Sequence, residues 1–193
     1  MRERLLDAAA EEFTENGFTA AKLQDIASRA GFTKGAVYSN FESKQALFAE
    51  LLSRRSMELA SRVIETVSGL GPGDAAGKGG GAIATWVVAE PRWPLLVIEF
   101  GIQAGRDPKL ALDYRRERRH LRDELATLIS QRAEEWGVHD GLDARRVATS
   151  LLALISGLAV EHSVDPEEID EEFIGDAVAE LLAGALARAA ERD

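Results

Sequence analysis

The chain has no cysteine, and only two methionines, three histidines and five prolines among 193 residues. Without cysteine it forms no disulfide, no thiolate nucleophile and no thiolate metal site, which suits a reducing cytoplasm. His120, His139 and His162 stand far apart, at no metal-ligand spacing, so no metal is expected. No nucleophile–base pair stands out, and acids are so plentiful that any chosen carboxylate pair would be arbitrary. No catalytic residue and no cofactor are therefore expected, and the chain reads as a non-enzyme. No stretch alternates apolar and polar residues as a half-buried strand does. No apolar run reaches the roughly 18 residues of a membrane span. Residues 1–20 carry charges through their apolar stripe, unlike a secretory signal. These absences lead to the expectation of a cytoplasmic protein without a membrane partner.

What the chain does carry is helical patterning. A content of 46% hydrophobic and 29% charged residues suits a soluble globular protein, and the length allows one sizeable core or two small ones. Residues 22–48, KLQDIASRAGFTKGAVYSNFESKQALF, are the most informative. Leu23, Ile26 and Ala27 recur at i, i+3, i+4, the apolar face of a short helix. Gly31 stands where the end of that helix needs a positive φ. Phe32 can pack back, and the Thr33 hydroxyl suits an N-cap. The next helix is expected over about 34–40, with Val37 and Phe41 inward. Lys34, Gly35, Ala36, Ser39 and Asn40 are left outward. Short residues with a few donors and acceptors are what a groove-reading face requires. Ser43 then caps a further helix with Lys44 in its first turn. Two short helices around a tight turn, followed by a third helix, make a helix-turn-helix layout.

At these residues the chain resembles the TetR family of transcriptional regulators. The resemblance rests on Ile26-Ala27, Ala30-Gly31-Phe32-Thr33-Lys34-Gly35, Val37-Tyr38, Phe41 and Lys44-Gln45-Ala46-Leu47, preceded by Leu6, Ala9, Ala10, Phe13 and Gly17-Phe18. It implies that Thr33, Tyr38 and Lys44 touch the DNA backbone beside the base-facing Lys34, Gly35, Ala36, Ser39 and Asn40. Lys22 and Gln24, at the start of the first of the two helices, complete the expected DNA-binding set. The sequence departs from the family at Ala21-Lys22, where many members carry a Ser or Thr cap; Lys22 would reach phosphate as a point charge. Arg2 and Arg4 are the only basic residues ahead of the first helix's apolar face.

The charge balance opposes this reading at first sight. Net charge is −10, and residues 1–50 hold eight acids against six bases. What counts is the charge of one face. Lys22, Lys34 and Lys44 lie near three successive helix starts, whose free N–H groups favour phosphate. The acids are expected on the far side of the first helix.

Further along, helices are expected over about 2–16, from Ser43 to about Ser68, 82–89, 94–105, from Asp107-Pro108 to about Trp136, 143–164, and from Asp165-Pro166 to about Ala190. Residues 69–81, GLGPGDAAGKGGG, read as a flexible loop. Gly77-Lys78 does not make a phosphate loop, because Pro72 replaces the first glycine and Gly79 the Ser/Thr. The fold class is thus all-α with about nine helices: a helix-turn-helix domain over 1–48 and a helical ligand-binding and dimerisation domain over 49–193.

The last two helices are apolar around much of their circumference, which calls for burial on more than one side. Leu151, Leu152, Ile155, Ala159, Phe173, Ala177, Val178, Leu181 and Ala185 are the expected dimer interface, and the resemblance implies a four-helix bundle with a second copy. Trp86, Trp93, Leu96, Phe100, Tyr114 and Leu121 come from three successive helices and could line a cavity. Arg118 interrupts the apolar stripe; with Glu99 and Gln103 it either forms an internal pair or anchors a ligand. The resulting expectation is a homodimeric, ligand-responsive repressor on a palindromic double-stranded operator, released by a small, largely apolar effector. The alternatives are a helical interaction module whose helix-turn-helix no longer binds DNA, and an enzyme with a helical substrate domain.

Overall fold

The computed structural model describes residues 1–138 and 141–191. Among the described residues it has no strand and nine helices: α1 (Arg2–Ala20), α2 (Leu23–Arg29), α3 (Lys34–Tyr38), α4 (Lys44–Val67), α5 (Pro72–Ala89), α6 (Arg92–Ala104), α7 (Pro108–Glu135), α8 (Ala144–Val164) and α9 (Glu171–Ala190). The chain divides into two compact units. One is Met1–Arg55 with Leu95–Arg119, the other Ser56–Pro94 with His120–Asp193.

In the first unit, α2 ends in a Schellman turn. The Gly31 N–H donates to Ser28 O at 3.1 Å and the Phe32 N–H to Ala27 O at 2.8 Å, with Gly31 at φ +75°. That turn aims α3. Thr33 occupies the N-cap of α3 but its hydroxyl makes no cap bond. It lies over Gly35 instead, 3.7 Å from where a Cβ would stand. Ser43 does cap α4, accepting from the Ala46 N–H at 3.0 Å. Regular helix in α3 ends at Tyr38, short of the expected 40; Ser39 and Asn40 follow as a turn bonded to Gly35 O and Val37 O. Phe13, Phe18, Phe48 and Phe100 make one buried aromatic cluster. Phe18 meets Phe48 at 5.1 Å and Phe100 at 4.6 Å between centroids, both edge to face. The end of α6 is thereby packed on the helix-turn-helix.

The second unit holds the largest departure from the sequence reading. The glycine-rich segment is not a loop but most of helix α5. Each glycine in a helix costs about 1 kcal/mol relative to alanine, so packing must supply what propensity withholds. Pro72 starts the helix at a position where its missing N–H is harmless. Ala75, Ala76, Ile83, Ala84 and Val87 are buried. Gly80 has the clearest role. A Cβ there would overlap the Gly175 carbonyl oxygen and stand 3.1 Å from the Ala179 nitrogen. The glycine therefore lets α5 lie directly against α9. Around that contact Ile83, Ala84, Val87, Leu158, Ala159, Ile174 and Val178 form the core. A separate cluster gathers Leu121, Leu125 and Ala148.

Asp143 caps α8, accepting from the Arg146 N–H at 2.9 Å. The start of α9 shifts from Asp165-Pro166 to Asp170, which accepts from the Phe173 N–H at 2.8 Å. Asp165 is spent on its own turn, accepting from the Glu168 N–H at 3.3 Å. By length and composition α8 is long and apolar enough to cross a bilayer. Reading apolar runs alone misses this because Arg145, Arg146, Glu161 and His162 bracket the segment.

Candidate nucleic-acid interface

Val37 is buried, and it turns the opposite side of α3 outward. Lys34, Gly35, Tyr38 and Ser39 are exposed, while Ala36 and Asn40 are half-buried. Gly35 carries no side chain, so a ligand can approach the backbone there. The Lys34 ammonium lies 5.8 Å from the Tyr38 ring centroid, which places a cation and a phenol on one edge. The Ser39 hydroxyl and the Asn40 amide both donate to Ala36 O, at 2.9 and 2.8 Å. What Asn40 and Ser39 offer outward is therefore mainly acceptor oxygen. On α2, Lys22 is the N-cap and both it and Gln24 are exposed.

Most acids of this region are held in ion pairs by three arginines, one of which, Arg54, lies just beyond it. Arg29 pairs with Glu11, Glu12 and Glu15, Arg54 with Glu3 and Asp7, and Arg2 with Glu50. Six of the eight acids in residues 1–50 are so engaged. Glu12, buried at 3% exposure, is the most protected of them. Arg2 also donates to Asn40 O at 2.6 Å and lies over the Phe41 ring. Arg4 donates to Ala30 O at 2.8 Å and lies over Phe32. Both arginines brace the helix-turn-helix from α1. Lys22 and Lys34 are exposed and take part in none of these ion pairs or braces.

Lys44 and Glu99 take positions that the sequence does not suggest. The Lys44 ammonium donates to Phe18 O at 2.8 Å, Ala21 O at 3.0 Å and Thr19 O at 3.1 Å. Its three donors thus close the carbonyl end of α1 rather than reach outward. Burial pushes its pKa down, and the charge of Glu99 works in the other direction. Glu99, on α6, accepts from the Phe18 N–H at 3.1 Å, the Thr19 N–H at 3.0 Å and the Thr19 hydroxyl at 2.6 Å. Gln103 donates to the same Thr19 hydroxyl at 2.5 Å. Burial alone would raise the Glu99 carboxyl, but the bonds from Thr19 and Phe18 and the nearby Lys44 charge outweigh it. They hold the group below its ordinary value of 4.5. Glu99 is therefore committed to the exit of α1, while the Arg118 guanidinium lies 5.9 Å from the Tyr114 ring centroid. Thr19 is the residue here that the sequence reading does not single out, and Phe18 enters that reading only through the Gly17-Phe18 resemblance. The only hint of Thr19 is its place just after Gly17-Phe18.

The other effector residues divide. Phe100 and Tyr114 meet edge to face at 5.3 Å within the first unit. In the second, Trp86 packs on the α5–α9 core and Leu121 in the smaller cluster. Trp93 and Leu96 are buried. Of the dimer set, Ala159 and Val178 are buried in the chain's own core. Leu151, Leu152, Ile155, Ala177, Leu181 and Ala185 are half-buried, and Phe173 is exposed. His120 sits 3.4 Å from Glu124 and His162 Nδ1 lies 2.7 Å from Ile169 O. His139 lies outside the described residues.

Comparison with known proteins agrees with this geometry. Residues 5–51 match the family model of bacterial regulatory proteins of the tetR family, and residues 88–187 match that of the C-terminal region of BetI-type transcriptional repressors. The uncharacterized HTH-type transcriptional regulator YdgC of Bacillus subtilis (strain 168) is 52% identical over 52 residues, 27% of each protein. That match spans well under a third of the relative's length. A transcriptional regulator from Rhodococcus sp. RHA1 superposes with a TM-score of 0.70 at 26% identity, covering 96% of both chains. FadR from Bacillus subtilis, solved in complex with stearoyl-CoA, superposes with a TM-score of 0.68 at 17% identity over 96% of this chain and 99% of that one.

Proposed function

The chain belongs to the TetR family of bacterial regulatory proteins and is a transcriptional regulator, and on that premise we propose that it is a cytoplasmic, dimeric repressor released from its operator by a small apolar effector. The observation that carries the reading is the outward face of α3, aimed by the Gly31 turn and anchored by buried Val37. In this reading Lys34, Gly35, Ala36 and Tyr38 meet base edges and adjacent phosphates, with Ser39 and Asn40 supplying acceptors. Lys22 and Gln24 meet the backbone at the start of α2. Thr33, exposed beside Gly35, joins them. Lys44 holds α4 against the exit of α1 and so sets the pose of the reading head.

The apolar side of α8 and α9 supports a second copy, because Leu151, Ile155, Leu181 and Ala185 are only half covered by their own chain. Two heads on a two-fold axis read half-sites roughly 34 Å apart. An effector that favours another spacing lowers operator affinity by its differential binding to the two states. FadR, a neighbour in fold, was solved with an acyl thioester, which supports a largely apolar effector here.

Fluorescence anisotropy on a selected duplex, titrated with salt, tests the contacts. Lys22→Ala and Lys34→Ala should each lower the slope of log affinity against log salt by about one. Unchanged slopes in both variants would remove these two cations from the interface, whereas a wild type that binds no duplex even at low salt would favour the protein-interaction module.

A further inference from the structure

Four of the large exposed apolar side chains fall in two places, one rich in arginines and one rich in carboxylates. Ile102 (53% exposed) and Leu112 (65%) stand on the end of α6 and the start of α7. Near them are Arg115 and Arg119, one helical turn apart and both exposed. From Leu112, Arg115 and Arg119 follow at i+3 and i+7, so all three lie along one face of α7. The second place is the α8–α9 turn. Val164 (78%) and Phe173 (48%) flank it, and Glu167, Glu168 and Glu172 are exposed on it. Neither arginine and none of these three carboxylates has an ion-pair partner among the described residues. The acids of residues 1–50, by contrast, are largely paired.

An apolar face rimmed by cations and an apolar turn rimmed by carboxylates are complementary. We propose that the two meet across the dimer axis, the Arg115–Arg119 face of one copy receiving the acidic α8–α9 turn of its partner. The contact would occur twice by symmetry, and the inference rests on the dimer reading above. Leu112 and Ile102 would be covered by Val164 and Phe173 of the partner subunit, while the charges fix the register and exclude the wrong partner. The arrangement ties the end of α6, which grips the helix-turn-helix through Glu99, to the other subunit. The two reading heads would then be coupled through a contact beyond the bundle, to which Phe173, expected in the bundle interface, would belong instead.

The test is a charge swap read by analytical ultracentrifugation and native mass spectrometry on the full chain. Two homodimers carry Arg115→Glu with Arg119→Glu, or Glu168→Arg with Glu172→Arg. Each should dissociate at least tenfold more readily than wild type. Mixing the two should give heterodimers in large excess over the statistical half, because both contacts then join opposite charges. All four positions are exposed, and unchanged helical circular dichroism establishes that the variants fold. Homodimers as tight as wild type, or a statistical mixture, would overturn the proposal while leaving the bundle dimer intact. So would an Arg115→Glu/Arg119→Glu variant that loses only DNA affinity, since it would assign the basic face to nucleic acid. A wild-type protein that stays monomeric at all concentrations would instead sink the dimer reading itself.

Discussion

Gly80→Leu should destabilise the protein by about 3 kcal/mol or more, the upper range for forcing atoms into a packed core. The added carbons have no space, because the first of them already overlaps the backbone of α9 at Gly175. Relief would require α5 and α9 to separate, opening the core around Ile83, Ile174 and Val178. For a chain of this size the melting temperature should fall by roughly 10 °C. Gly77 provides the control on the same helix. It faces solvent, with nothing within 4 Å of its would-be Cβ. Gly77→Ala should therefore raise stability by about 0.5–1 kcal/mol through helix propensity alone. Thermal melts of both variants decide the matter. Equal effects of the two substitutions would mean that α5 does not pack closely on α9.

Glu99→Ala should weaken operator binding by about tenfold while leaving the α5–α9 core unchanged. The substitution removes the acceptors of the Phe18 and Thr19 N–H groups and of the Thr19 hydroxyl at once. It also leaves the partly desolvated Lys44 without its counter-charge. Hydrogen bonds to a charged group are worth more than neutral ones, though partial exposure reduces that gain. The exit of α1 would loosen, and with it the angle at which α2 and α3 are presented. A pH titration distinguishes this positioning role from a packing role. The folded carboxyl titrates below its ordinary value of 4.5, so its stabilisation is fully present above that value. It is lost as pH falls through the lower, folded-state value. The wild-type helix-turn-helix should thus weaken below about pH 4.5, and Glu99→Ala should lack that component. Operator affinity equal to wild type, with the same acid limb, would rule out the positioning role.

Local signals made the reading head legible. The apolar spacing of Leu23, Ile26 and Ala27, the glycine at position 31 and the serine at 43 each specify geometry within a few residues. The structure follows all three. Thr33 did not cap through its hydroxyl, since cap preference states what a side chain can do and not which neighbour it finds. The errors farther along come from tertiary contacts that no window reveals. Glycine at 80 lowers helix propensity and yet permits the helix–helix contact that makes α5 stable, so propensity and packing point in opposite directions. Asp165 and Asp170 are equally good caps by residue type, and the turn between α8 and α9 selects the second. Glu99 was read as a candidate partner of Arg118 because the two fall on neighbouring helices. Its hydrogen-bond partners Phe18 and Thr19 lie 81 and 80 positions earlier. Lys44 was read as a phosphate contact, but its ammonium closes the end of α1. Charge summed over residues 1–50 misleads for a related reason. Arg29, Arg54 and Arg2 absorb most of the acids, so the sum says little about the face that α3 presents.

Selection of bound duplexes from a random DNA library, at two salt concentrations and with wild type beside Tyr38→Ala, tests the central claim most directly. Tyr38 is exposed on α3 and has no part in the core, so the variant separates recognition from folding. The account predicts a palindromic motif with half-sites about one helical turn apart, sharper at the lower salt and lost in the variant. A folded wild-type protein that enriches no sequence at either salt would contradict it.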